Sequence, residues 1–336
     1  MATSADPQDE TAERYRSFAL REVRGMSPSY EALALRVAGD ADLIELIDTL
    51  PPMKRQPNLV FSAARFLGAP VADPGAFREW LLGSWDEVRE VALARATQTN
   101  EAARCAPILP LISLAAQGGP VALLEVGVSA GLDLYPDRYS YRYATADGTV
   151  SIDPPDGESP VVIDCAVTGP APIPDGVPEV VWRAGIDLHP LDAASSDDVA
   201  WLDALIWPEH EDRRRRLRAA AAIAAAEPPR MFTGDLVDRL QEVAAHAPAG
   251  ATLVVFHTAV LMYLAPAARG EFAERVAGLP GHWISNEWHG VSPLTWTTSA
   301  SEHLGIGALP SDFELALDGR QLAFCSPHGR DLRWLS

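Results

Sequence analysis

The feature that most constrains this chain is the run Pro120-Val-Ala-Leu-Leu-Glu-Val-Gly127. It is short, apolar on both alternations and closed by glycine, as a strand buried on both faces is. It also marks a change of period. From Thr11 to about Gly118 the apolar residues recur at helix spacing, as in Leu33, Val37, Leu43, Leu46 and Ile47, then Phe77, Trp80 and Leu81. Turn residues punctuate that stretch at Met26–Pro28, Pro51–Pro57 and Gly68–Gly75. Residues 1–10 are polar and are expected as a tail.

Beyond Pro120 strands and helices alternate. Strands are expected at Glu179–Trp182, Met231–Thr233, Thr252–His257 and Trp283–Asn286. Helices are expected at Trp201–Ala226, with a break near Pro208, and at Leu236–Ala247 and Ala267–Ala277. Phe313–Leu317 and Gln321–Phe324 flank Asp318-Gly319, a pair suited to a tight hairpin because both turn positions need positive φ. Residues 140–178 are rich in Pro, Gly and Asp and are read as a β-hairpin insertion. The expected fold class is α/β: a Rossmann-like, doubly wound, mostly parallel seven-stranded sheet with a C-terminal β-hairpin. Residues 1–118 form an N-terminal helical cap region and residues 119–336 the sheet domain.

Ligands on such sheets bind at the carboxyl ends of strands. There stands Leu124-Glu125-Val126-Gly127-Val128-Ser129-Ala130-Gly131. Gly127 permits a tight turn, the small Ser129 lets a ligand approach the backbone, and Gly131 lets a following helix start close to the sheet. Gly127-Val-Ser129-Ala-Gly131 also matches Gly-x-Ser-x-Gly. A serine hydrolase would use Ser129 with Asp235 and His257 or His289, but that reading leaves Glu125 idle. A nicotinamide-binding fold is a further alternative, against which the terminal hairpin argues, and a noncatalytic ligand-binding protein is another.

The loop resembles the Glu-x-Gly-x-Gly-x-Gly motif of class I S-adenosylmethionine-dependent methyltransferases, with Ser129 at the middle glycine. Gly131-Leu-Asp-Leu, Asp137-Arg-Tyr, Trp201-Leu, Ile206-Trp-Pro, Gly234-Asp235 and Phe256-His257 extend a second resemblance, to an uncharacterised bacterial family common in actinobacteria. The first resemblance implies S-adenosylmethionine as cofactor, held by Glu125, Gly127, Ser129 and Gly131. It also implies Asp187 at the ribose and Asp235 at the adenine. Asp187 lies further from Glu125 than that pattern asks, and the insertion accounts for the distance. The implied function is methyl transfer to an oxygen or nitrogen of a small molecule. His257, at the end of a strand and facing the crevice, would be the base. Tyr263 would line the pocket. No Asp/Asn-Pro-Pro-Tyr follows the fourth strand, which leaves O- and N-methylation open.

Asn100 and Arg104 share a helical face just before the first strand and could orient the methionine part of the cofactor or an acidic substrate. Glu287, in Asn286-Glu-Trp-His289, could complete the pocket. Arg213–Arg216 are spread around a helix axis and read as a salt-bridged face. The net charge of −19 repels phosphate backbones, so a small-molecule substrate is expected and nucleic acid is not. No apolar run of about 18 residues suggests a membrane span. Three scattered cysteines form neither a zinc spacing nor a disulfide framework, and the histidines have no metal-ligand spacing. A cytoplasmic protein is expected.

Overall fold

The computed structural model describes residues 7–291 and 312–335. Residues 1–6 of the expected tail lie outside them, and a helix already begins at Pro7. The chain divides into two compact units, Met1–Thr99 with Ser196–Arg215, and Asn100–Ser195 with Arg216–Ser336.

The first unit is helical: α1 (Pro7–Ser17), α2 (Pro28–Ala38), α3 (Ala41–Asp48), α4 (Pro57–Phe66), α5 (Pro74–Gly83) and α6 (Trp85–Ala94). Proline at the first turn of α2, α4 and α5 costs no hydrogen bond there, and Ser27, Asp40 and Asp73 cap α2, α3 and α5. Their inward faces converge on Phe61, which meets Tyr15, Tyr30 and Phe77 edge-on.

The second unit starts with α7 (Cys105–Ala116), leading into β1 (Val121–Val126). There follow β2 (Ser140–Thr145), β3 (Gly148–Ile152), β4 (Val162–Thr168) and β5 (Val180–Asp187). The chain then makes α8 (Ser196–Leu205), which packs on α4 in the first unit, and α9 (Glu211–Ala226), whose first turn belongs there too. The break falls at Pro208, as expected. The rest is β6 (Arg230–Thr233), α10 (Leu236–Ala244), β7 (Thr252–Thr258), α11 (Pro266–Ala277), β8 (His282–Trp288), β9 (Phe313–Leu317), β10 (Arg320–Cys325) and β11 (Asp331–Trp334).

All eleven strands join one sheet in the order β3-β2-β4-β11-β10-β9-β8-β7-β1-β5-β6. The fold is therefore mixed α/β with a central sheet, but of eleven strands rather than seven. Three of the four extra strands, β2, β3 and β4, come from the segment read as an insertion, and the fourth is β11 near the C-terminus. β2 and β3 do form a hairpin, yet β4 pairs in parallel with both β2 and β11, so the segment is the far end of the main sheet. The other hairpin is as expected: β9 and β10 are antiparallel, and Asp318 and Gly319 have φ of 50° and 79°.

β6, β5, β1, β7 and β8 are parallel neighbours. β1 is buried throughout, which explains its lack of alternation. Ala122, Leu124 and Val126 join the core with Leu240 and Val243 of α10 and Phe272 of α11. Glu125 is on the opposite face, in register with Phe256 of β7. α7 packs against β4, β7, β8 and β9.

The sheet is not flat. Eight spacings separate β2 from β5, roughly 38 Å across a flat sheet. Yet Arg183 of β5 pairs with Asp137 at 2.7 Å, and three residues from Asp137 to Ser140 span at most about 11 Å. The sheet must curl. Tyr135, Tyr139, Tyr141 and Tyr143 are fully buried, and each spends its hydroxyl on a backbone carbonyl, of Glu227, Leu132, Pro136 and Ala106 respectively.

Candidate active site

The carboxyl ends of β5, β1 and β7 lie side by side, with β1 in the middle. The loop after β1 is left-handed at Gly127, Ser129 and Gly131, with φ of 72°, 50° and 75°. Across from it, after β7, Ala259 also has positive φ, 59°. Two non-glycine residues in this region, at adjacent strand ends, is a concentration of backbone strain of the kind found at functional sites. Gly127 has a second constraint, because a Cβ there would overlap the Val260 side chain.

No full helix follows the loop, contrary to expectation. Gly131 leads into a single 3₁₀ turn, Leu132–Leu134, and the chain continues toward β2. The loop is held by side chains instead. Asp187, at the end of β5, accepts from Ser129 N (2.8 Å) with one oxygen and from His189 N (2.9 Å) with the other. Asn100 Oδ1 accepts from Leu132 N at 2.9 Å. Asp187 is thus beside the loop. The sequence distance arises because β2, β3 and β4 intervene in the chain and leave for the far end of the sheet. Asp235 follows β6 and caps α10 by accepting from Val237 N and Asp238 N.

On the α7 face a polar cluster is buried under the strand ends. Arg104 ends a 3₁₀ turn, Ala102–Arg104, and its Nε donates to Pro327 O (2.9 Å). Its Nη1 donates to Thr258 O (3.3 Å) and Thr258 Oγ1 (3.1 Å), and Thr258 Oγ1 donates to Asp133 Oδ2 at 3.5 Å. Glu125 is 1% exposed, and among the described residues its Oε2 has no hydrogen-bond partner; nor have Ser129 Oγ and Asn286 Nδ2. Burial, with repulsion from Asp133, pushes the Glu125 carboxyl well above its ordinary value, against the pull of Arg104. Burial likewise raises Asp133, which Arg104 opposes, to about 7. Asn100 and Arg104 do not share a helical face: Asn100 precedes the 3₁₀ turn that Arg104 ends, and both are buried, Asn100 against the loop after β1 and Arg104 against the end of β7.

His257 does not face the crevice. It is fully buried on the opposite face, against Phe272 and Trp283. Its Nδ1 meets Glu287 Oε1 at 2.7 Å and its Nε2 accepts from Trp283 Nε1 at 3.0 Å. Glu287 Oε1 also takes the amides of Val260 (2.8 Å) and Leu261 (3.0 Å). In this geometry His257 and Glu287 fasten the loop after β7 rather than offer a free base. Tyr263 is 70% exposed at the end of a short 3₁₀ turn in that loop, and Leu188, just past Asp187, is 59% exposed. The arginine run disperses as its spacing requires: Arg214 pairs with Asp203 and Glu211, and Arg216 with Glu101. Among the described residues no cluster of three His, Cys, Asp or Glu could hold a metal ion, and no helix is long and apolar enough to cross a membrane.

Asp133 and Thr258 escaped the sequence reading. The available signal was an acid between two leucines in Gly131-Leu-Asp-Leu, since a charged residue inside an apolar turn is either strained or used.

A mixed α/β protein with a strained loop and buried acids at its central strand ends is what fold and site define. The chain belongs to the family described as "Uncharacterized protein conserved in bacteria (DUF2332)", whose model matches residues 12–334. No curated protein and no solved structure matches it significantly.

Proposed function

We propose that this chain binds S-adenosylmethionine at the carboxyl ends of β1, β5 and β7 and directs its methyl group to an oxygen or nitrogen of a small molecule. The observation that carries the reading is where the strained loop lies. Numbered by order of entry, the parallel strands run 3-2-1-4-5, the order of doubly wound nucleotide-binding sheets. The chain turns from one wing to the other between β1 and β7, and Gly127 and Ala259 face each other across that switch point. In such sheets the ligand sits there.

The residues fit this group. Ser129 Oγ, in the loop, is buried without a partner among the described residues. Each Asp187 oxygen accepts one amide in the loop contacts and keeps a lone pair for a ribose hydroxyl. Leu188 and Tyr263 present apolar surface on either side of β1. Charge decides between cofactor classes. A dinucleotide brings a pyrophosphate and favours a helix N-terminus, which the turn after Gly131 does not supply. S-adenosylmethionine has no phosphate, and its cationic sulfonium suits a site with Asp187 and Asp133 beside it. When bound, it supplies an activated methyl group. The chain then has to orient the acceptor, exclude water and take up a proton.

The hydrolase reading has less support. Among the described residues Ser129 Oγ has no hydrogen-bond partner, and both nitrogens of His257 are spent on Glu287 and Trp283.

Calorimetry of the full chain with S-adenosylmethionine, NAD and a serine-directed phosphonate tests the proposal. Binding of the first alone is expected. In Gly127→Val the added bulk meets Val260 and moves the loop, so binding should be lost while circular dichroism still shows a folded chain. Binding of NAD instead, or undiminished cofactor binding by Gly127→Val, overturns it.

A further inference from the structure

We propose that Asp133, acting through the Thr258 hydroxyl, holds the proton removed from the methyl acceptor; this rests on the methyl-transfer reading above. The reaction needs a proton acceptor at the switch point, and His257 is sealed on the other face of the sheet. The α7 face offers a replacement. Thr258 is the last residue of β7, level with the loop after β1. A hydroxyl has one donor and two acceptor positions. Thr258 Oγ1 accepts from Arg104 Nη1 and donates to Asp133 Oδ2, which leaves one lone pair free. The 3.5 Å reach to Asp133 is loose, as catalytic hydrogen bonds often are before a ligand tightens them.

The step balances without a redox partner. The acceptor's O–H or N–H bond breaks and the electron pair stays on the acceptor. Its proton goes to the free lone pair of Thr258 Oγ1, and the hydroxyl's own proton moves to Asp133 Oδ2. Asp133 is a positioning and proton-holding residue here, and Thr258 is the group that meets the acceptor.

Every neighbour of Asp133 bears on its charge. Arg104 and Glu101 face it from the turn before α7, Cys105 from α7, Glu125 from β1 and Tyr139 from the approach to β2. Glu101 is itself paired with Arg216 at 3.0 Å. Arg104 is therefore the near cation that keeps Asp133 able to ionise around neutral pH. A base matched to the working pH in this way transfers protons best. Arg104 in turn is set by the turn between β10 and β11. Pro327 O takes its Nε, and Gly329, at φ 68°, rests so closely on Ala103 that a Cβ would overlap the Ala103 carbonyl.

The test is carboxyl carbon-13 NMR of the full chain labelled at aspartate, titrated from about pH 5 to 9. One aspartate should titrate about 7. Its signal should vanish in Asp133→Asn and titrate higher in Arg104→Gln. If Asp133→Asn does not fold, Thr258→Val makes the assignment, because losing the hydroxyl raises only the carboxyl that it faces. Absence of a neutral titration, or a midpoint indifferent to Thr258→Val and Arg104→Gln, overturns the role of Asp133. Calorimetry of S-adenosylmethionine binding in two buffers of different ionisation heat gives a separate arm. The cationic ligand should expel more protons from the parent at pH 7 than from Asp133→Asn, and equal release from the two overturns the role. Failure of the cofactor to bind at all defeats the methyl-transfer reading, and the role with it, even where the aspartate titrates as expected.

Discussion

At the residue scale, the same burial that tunes Asp133 makes the fold sensitive to pH. An aspartate in an unfolded chain ionises near 3.9, and Asp133 in the folded chain ionises about 7. Between those values the folded protein holds a proton that the unfolded one has released. Stability is thus undiminished below about pH 4 and falls as pH rises to about 7, by on the order of 4 kcal/mol at most. Glu125 acts in the same direction. Melting temperatures of the parent should fall between about pH 5 and 8, and those of Asp133→Asn should fall less. Parallel slopes for the two proteins would show that Asp133 does not carry this charge. Asp40 shows the opposite sign. Its hydrogen bond to Arg78 outweighs burial and lowers its pKa, so it stabilises above the usual carboxylate range and loses that effect on acidification.

At the element scale, the sites where strands hand over to helices do two jobs. Asp235 follows β6 and its carboxylate accepts two amides of the first turn of α10. That is N-cap chemistry, and Asp235→Ala should cost about 1 kcal/mol in urea unfolding. A cost near zero would mean that the helix does not depend on its cap. If the carboxylate also meets the adenine, cofactor affinity should drop in the same variant by more than its loss of stability explains, read by calorimetry well below the melting temperature. The loop after β1 lacks such a helix and is pinned by Asp187 and Asn100, from two other elements. A loop held by side chains can present its amides without the positive end of a helix, which suits a cationic ligand better than a phosphate.

At the scale of the whole molecule, the first compact unit is discontinuous in sequence. Trp201 of α8 is fully buried, and its Nε1 donates to Ala96 O at 3.1 Å. Arg95 stands over the rings of Phe66 and Trp201 and pairs with Asp197 and Asp198. Arg65 donates to the Ile206 carbonyl. A chain ending at Thr99 lacks all of these partners and leaves Phe66 and the α4 face uncovered. It should give no cooperative urea transition by circular dichroism, and a chain that restores residues 196–215 should recover one. A sharp transition from residues 1–99 alone would show that α8 is dispensable to the unit.

What the sequence determined by itself was local. The buried runs at β1 and β7, the helix break at Pro208 and the Asp318-Gly319 turn follow from period and from backbone freedom at single residues. These are short-range properties, and a strand buried on both faces advertises itself. The tertiary structure decided what needs a distant partner. Thr149–Ile152 and Val161–Val167 look alike as β-prone pieces, but pairing sends one to β2 alone and the other, as β4, between β2 and β11. His257 ends an apolar strand, and an apolar neighbourhood does not tell which face the ring takes; Trp283 and Glu287, on another strand, settled that. Asp187 reaches the loop only because the residues between it and Glu125 leave for the far end of the sheet. Asp133 reads as an ordinary loop acid until α7 and β7 close over it. A carboxylate's charge state depends on its surroundings, and those are assembled from residues far apart in the chain.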